Sequence, residues 1–249
     1  MPDADHDDSA GDVARDSATD SERHSAGDRT RATVAFSDLA VAVYCPRQLY
    51  YARRDDRDPP AEHRHARELA GRYDALAVAS TAALATYDLA VEPPEFRSNL
   101  AASLDRHPGV ADPAETAVFV RGKDTHGRAA KVHDGPLSVS VVTPGSPPEA
   151  GVWEPQAVRA VAAAKALAWR EEATVDHAYV EYARHGVVRR VELTTRRKAA
   201  YRRALRTVRA LDGPPPRLHD DAKCGACEYS DECGAKTRTL GSLLSLGGD

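Results

Sequence analysis

Four cysteines, Cys45, Cys224, Cys227 and Cys233, are the residues of this 249-residue chain whose type and spacing could do chemistry. Three of them form Cys224-x2-Cys227-x5-Cys233, a short run after a Pro-rich break. Two thiolates three residues apart can reach one metal centre, and the third returns after a single turn. A fourth ligand can come only from Cys45, which precedes Pro46 and so sits where a helix is interrupted. Cysteines of a cytoplasmic chain are expected reduced, which favours metal over disulfides. A four-Cys zinc site is chemically possible, although zinc sites more often pair two Cys-x2-Cys knuckles and this chain has one. A 4Fe–4S cluster with four Cys ligands suits the same set. Four unrelated structural thiols would leave the tight C-terminal trio unexplained. Spacing leaves these readings open.

The elements that must position the cysteines follow from periodicity and breakers. Residues 1–33 are an acidic tail, with nine Asp or Glu against three Arg in the first thirty, and no apolar period; they are expected to be disordered. Without those thirty, totals of 34 basic and 38 acidic residues become 31 and 29, so the body is close to neutral. One domain is expected over residues 34–240, long enough to bury its own core. Its helical part is residues 34–112, its sheet core 113–212 and its cysteine loop 217–236. Helix entry is expected near Phe36, with Ser37 or Asp38 as the cap. Arg64 to Leu84 reads as a second helical stretch, and Phe96 to Leu104 as a short helix.

Strands are expected at Ala117–Val120, Ala129–Val132, Ser138–Val142, Ala178–Tyr182 and Val187–Leu193. A long Ala-rich helix opens at Glu154-Pro155, where proline suits the first turn. A basic helix capped by Thr194 or Thr195 runs to Leu211, and a Leu-rich turn follows the cysteine loop. The order is that of an α/β fold with a central mixed sheet flanked by helices. No run of about 18 apolar residues occurs, so no membrane span is expected. The acidic N-terminus lacks an apolar signal region, so a cytoplasmic location is expected.

Tyr44-Cys45-Pro46-Arg47-Gln48-Leu49-Tyr50-Tyr51 and Lys223-Cys224-x2-Cys227-x-Tyr229-x3-Cys233 together resemble one family. It is the CRISPR-associated iron–sulfur exonuclease family (the Cas-four type), part of the RecB-like PD-(D/E)xK nuclease superfamily. The resemblance covers roughly Phe36 to Gly234, and its cysteine signature is more specific than its middle. It implies a PD-(D/E)xK nuclease-like fold whose N- and C-terminal segments are clamped by a 4Fe–4S cluster on Cys45, Cys224, Cys227 and Cys233. It also implies DNA as substrate, magnesium or manganese as catalytic ion, and CRISPR adaptation or DNA repair proteins as partners. The tyrosines Tyr44, Tyr50 and Tyr51 would then shield the cluster from water.

The chain departs from that family where the chemistry is done. An Asp and a Glu hold the divalent cation, and a Lys two residues after the Glu positions the water. The family pattern is Gly-x-x-Asp, then Glu-x-Lys-x-Gly, then a Gln-x3-Tyr helix. Here Gly127-Arg128-Ala129-Ala130 ends in Ala130, and Val141-Val142-Thr143-Pro144-Gly145 has Val141 and Thr143 for Glu and Lys. Val161 and Lys165 stand for Gln and Tyr. The family's early-helix His has no clear match in His63 or His65. Ala and Val cannot bind magnesium.

Acidic groups near the expected sheet edge are Asp124, Asp134, Glu149 and Glu154, the candidates for a relocated catalytic site. Asp221-Ala222-Lys223 is an acid-x-Lys beside the cysteine loop, outside any strand. On the basic helix, Lys198, Arg202, Arg206 and Arg209 cluster on one side at 100° per residue, opposite Ala200, Ala204, Leu205, Val208 and Leu211. Such a stripe suits phosphate contact, or serves simply as a solvated face. The sequence therefore points first to an iron–sulfur DNA-binding protein with a degenerate nuclease motif. Against it stand an active single-stranded DNA exonuclease with relocated carboxylates and a zinc-clamped structural protein.

Overall fold

A computed structural model describes residues 32–55, 60–218 and 220–234. The described residues from Thr33 to Gly234 make up one compact unit. The expected tail and the Leu-rich final turn lie outside the described residues.

The chain enters through a two-residue strand, β1 (Val34–Ala35), and turns directly into α1 (Phe36–Tyr44). Cys45 is extended, at φ −159° and ψ 112°, and α2 (Pro46–Ala52) restarts with its proline in the first turn. The expected interruption at Cys45-Pro46 is therefore present: proline has no N–H to donate, but it starts a helix well. The expected cap is not. The N-cap is Ala35 and no side chain caps it. Asp38 lies in the first turn and takes Arg53 Nη2 at 2.6 Å instead.

The expected second helix is three: α3 (Ala61–Ala70), α4 (Tyr73–Val78) and α5 (Thr81–Leu84). Gly71 ends the first, and Ser80 caps the last by accepting from Ala83 N at 3.1 Å. Local capping thus overrides an Ala- and Leu-rich period. α6 (Pro93–Arg106) starts on the Pro-Pro pair and is longer than expected.

Then come β2 (Glu115–Arg121), β3 (Thr125–Asp134), β4 (Leu137–Thr143), α7 (Glu154–Arg170), β5 (His177–Tyr182), β6 (Val187–Glu192) and α8 (Thr195–Arg209). A short α9 (Asp221–Gly225) opens the cysteine loop. All five expected strands form, and β1 was not foreseen, since two residues carry no period. The sheet is six-stranded and mixed, ordered β1-β3-β4-β5-β6, with β2 also on β3. β1 runs parallel to β3, β4 parallel to β5, and the other pairs are antiparallel.

Both faces of the sheet are covered. One core packs α1, α7 and α8 against it through Leu39, Val139, Val141, Val180, Leu167 and Val208. The other packs α3, α4 and α6 through Leu69, Tyr73, Phe96, Val142 and Val188. α7 is buried along most of its circumference, which its run of alanines allows. A Cβ at Gly122, in the β2–β3 turn, would lie 2.5 Å from Ala166 Cα. Gly186 takes a left-handed φ of 65°, and a Cβ there would meet Phe96 O at 2.7 Å. That glycine lets the β5–β6 hairpin close onto α6, where Ser103 Oγ donates to Gly186 O and accepts from Val188 N, both at 3.0 Å. Among the described residues no helix is long and apolar enough to cross a membrane.

Candidate functional site

The α1–α2 break and the cysteine loop face each other across one cavity. Cys45, Cys224, Cys227 and Cys233 all line it, with Tyr44, Arg47 and Tyr51 of the N-terminal segment and Tyr229 of the C-terminal one. It holds about 420 Å³ of atom-free space, part of it open to solvent. Direct bonds join the two ends of the chain around it. Arg47 Nη1 donates to Pro215 O at 2.8 Å, and the Tyr51 hydroxyl donates to Glu232 O at 3.2 Å. Tyr51 stacks on Tyr229 at 5.9 Å between ring centroids, and the Tyr229 hydroxyl donates to Asp55 Oδ2 at 3.1 Å. Tyr44 lies under Lys223 Nζ at 5.2 Å. Of the three tyrosines expected around Cys45, Tyr44 and Tyr51 wall the cavity, while Tyr50 packs edge-on against Tyr51 from outside it.

The four thiols share this space without closing on a point. None is in a disulfide. Among the described residues no three His, Cys, Asp or Glu side chains are gathered to hold a metal ion. The expected four-Cys clamp is not formed: the cysteines line one cavity without clustering, and protein hydrogen bonds join the two segments there. The four soft thiols that line this space are a donor set that suits tetrahedral zinc and an iron–sulfur cluster alike. Burial pushes the Cys227 thiol up; a Tyr229 backbone hydrogen bond opposes this, and the thiols of Cys45, Cys233 and Cys224 add to it. A metal that takes the thiolates would release that strain with their protons.

The positions matching the nuclease motif do not converge. Ala130 lines a second cavity, between α3, β2, β3 and α7, and the β4 residue beside it there is Val142. Val141 alternates to the other face and lies in the α7 core. Thr143 is buried, its hydroxyl accepting from Gly145 N at 3.4 Å. Val161 is buried in α7, and Lys165 sits over the Tyr201 ring at 5.8 Å.

The four carboxylates proposed as a relocated site are also apart. Asp124 and Asp134 stand at opposite ends of β3, about 30 Å of extended chain. Asp124 is paired with Arg209 Nη2 at 2.9 Å. Asp134 is exposed, Glu149 is in an exposed loop, and Glu154 opens α7 within 3.6 Å of Arg203.

A buried ion pair was missed. Lys131 Nζ donates to Glu181 Oε2 at 3.0 Å and to Val110 O at 2.9 Å, over the face of Tyr73 at 4.3 Å. Lys131 is 3% exposed and Glu181 0%, and burial with Glu181 beside it holds the Tyr73 phenol well above its usual range. Beside them His133 bridges Gly109 O at 3.0 Å and Ser140 Oγ at 3.1 Å. The only signal was a Lys and a Glu within β3 and β5. His63 is half-buried near Arg159, and burial first, then Arg159, lowers its pKa.

On α8 the amphipathic pattern is as expected. Tyr201, Ala204, Leu205 and Val208 are buried, and Lys198, Arg202 and Arg206 are exposed. Arg209 is exposed as well and is paired with Asp124. Thr194 is the cap, accepting from Arg197 N at 3.3 Å.

No family model and no curated protein matches the chain. Among solved structures, the chain is similar to the crystal structure of SSO0001, with 16% identity over 87% of this chain and 93% of that one and a TM-score of 0.38.

Proposed function

We propose that this chain is an iron–sulfur protein that binds DNA and has lost the nuclease chemistry of the family its cysteine signature resembles. The carrying observation is the cavity shared by Cys45, Cys224, Cys227 and Cys233 at the meeting of the two chain ends. In this reading the four thiolates hold a 4Fe–4S cluster, and the cluster adds folding energy to bonds that already join those ends. The cluster supplies a structural tie. Arg47 stays close to Cys233, and Tyr44, Tyr51 and Tyr229 limit access of water.

DNA contact in this reading falls to Lys198, Arg202 and Arg206, three of the exposed cations of α8. Divalent-cation cleavage has no support in the residues at the motif positions, since Ala130, Val141 and Thr143 offer no carboxylate. The partners in this proposal are DNA and the proteins of CRISPR adaptation or DNA repair, in the cytoplasm.

The test is to purify the protein without oxygen, measure iron and sulfide, and incubate it with labelled single-stranded DNA and manganese. The expected outcome is iron-loaded protein that binds the strand without cutting it. Binding should weaken with salt, and each of Lys198→Gln, Arg202→Gln and Arg206→Gln should flatten the log–log salt slope by about 0.7. Cleavage that disappears on changing Asp124, Asp134, Glu149 or Glu154 would replace this reading with an exonuclease of relocated carboxylates. Zinc without iron or sulfide would replace it with a zinc-clamped protein.

A further inference from the structure

The second cavity, floored by Ala130 and Val142, is lined by four cations, Arg67, Arg128, Lys131 and Arg159, and by no acidic side chain. It encloses about 750 Å³ of atom-free space, part of it open to solvent. Lys131 is answered by Glu181 from within the sheet. Arg128 Nη1 donates to Ala117 O at 2.7 Å, a neutral partner. Arg159 is the informative residue. It rises from the first turns of α7, its Nη1 donates to Val142 O at 3.0 Å, and its Nε is enclosed with no hydrogen-bond partner. Burial, with Arg67 adding repulsion, pushes its pKa down to about 10, which leaves it cationic at neutral pH.

An enclosed charge without a counter-charge is costly. Here two guanidinium groups face one opening and repel each other. A doubly charged oxyanion with several acceptor oxygens would answer both, through the paired N–H donors that guanidinium presents. The neighbouring His63 is held neutral by burial and by Arg159, so it can accept or donate a hydrogen bond without adding charge.

We infer that this cavity binds a phosphoryl group through Arg159 and Arg67, with Arg128 at its rim. The position that carries a cation-binding Asp in the resembled family is Ala130, and the cavity beside it has the opposite preference, for an anion. The inference stands on the cavity alone and does not depend on the chain binding DNA through α8 or holding a cluster. The phosphoryl group can come from free phosphate or from a nucleic-acid strand, and the experiment separates these sources.

Thermal melts of the full chain in inorganic phosphate, against chloride at equal ionic strength, are the test. Phosphate should raise Tm of the wild type by several degrees, since a ligand that binds only the folded state stabilises it. In Arg159→Met the phosphate-dependent rise should vanish, and in Arg67→Gln, an exposed residue whose loss leaves the core intact, it should fall by at least half. A 5′-phosphorylated thymidine dinucleotide and its unphosphorylated form are run beside it. A rise with the phosphorylated dinucleotide that exceeds the one with inorganic phosphate assigns the site to a strand end; the reverse order assigns it to free phosphate. No rise in the wild type, or an equal rise in wild type and Arg67→Gln, overturns the inference.

Discussion

The cysteine cavity and the arginine cavity are built on opposite principles. The first is assembled from two short stretches, the Cys45 break and the loop from Cys224 to Cys233, and its walls are aromatic. Its lining groups are ones that lose protons to gain a metal. The second draws on α3, β2, β3, β4 and α7, with β3 alone giving four residues, and its cations carry charge already. Three of the first cavity's four thiols fall within ten residues of sequence. A charged pocket can be scattered, because guanidinium groups are long and act over several ångströms. The comparison teaches that the two segments around the cysteine cavity are joined by hydrogen bonds and ring stacking, whereas the sheet is held by burial and an internal ion pair.

The largest effect that could break this contrast is on the cysteine side. Cys45→Ala should remove the iron, bleach the protein and expose both chain ends to protease, while the sheet keeps its secondary structure. Iron content measured on the purified variant checks this, and an unchanged value would remove Cys45 from the ligand set. Next comes the buried pair of the sheet. Lys131→Met leaves the Glu181 carboxylate enclosed without its cation and should cost about 3–5 kcal/mol in urea unfolding. The double variant Lys131→Met with Glu181→Leu should recover most of that, and failure to recover would mean that Glu181 does more than answer Lys131.

The smallest effect is that of pH. Burial lowers the pKa of His63, His107, His133, His177 and His185, and no described histidine lines the cysteine cavity. A histidine whose folded pKa lies below the unfolded value of about 6.5 stays neutral in the fold while the unfolded chain takes up the proton. Stability is therefore complete above about pH 6.5 and declines as pH falls below it. Melts between pH 7.5 and 5.5 should show this decline, and His133→Gln should make it shallower. An unchanged slope would mean that His133 accommodates its proton through Gly109 and Ser140.

Much of the architecture was legible because it rests on local rules. The break at Cys45-Pro46, the start of α7 at Glu154-Pro155 and the Thr194 cap all follow from the backbone limits of proline and from short polar side chains. Where reading failed, a neighbour in space decided. Asp38 has the type of a cap, yet Arg53 takes it. Arg209 has the spacing of a surface stripe, and only the fold gives it Asp124 as a partner. β1 is two residues long, and only the edge of β3 makes it a strand.

Alone, the sequence determined the five longer strands, the mixed α/β class, the cysteine set and the absence of acids at the motif positions. These depend on residue type and period. The tertiary structure decided that Lys131 meets Glu181 inside the sheet, that Ala130 faces arginines, and that Asp124, Asp134, Glu149 and Glu154 stay apart. The physical reason is that charge and burial are properties of surroundings. A Lys, a Glu or an Arg has the same chemistry anywhere in a sequence, and only packing fixes which partner it meets and how much water it keeps.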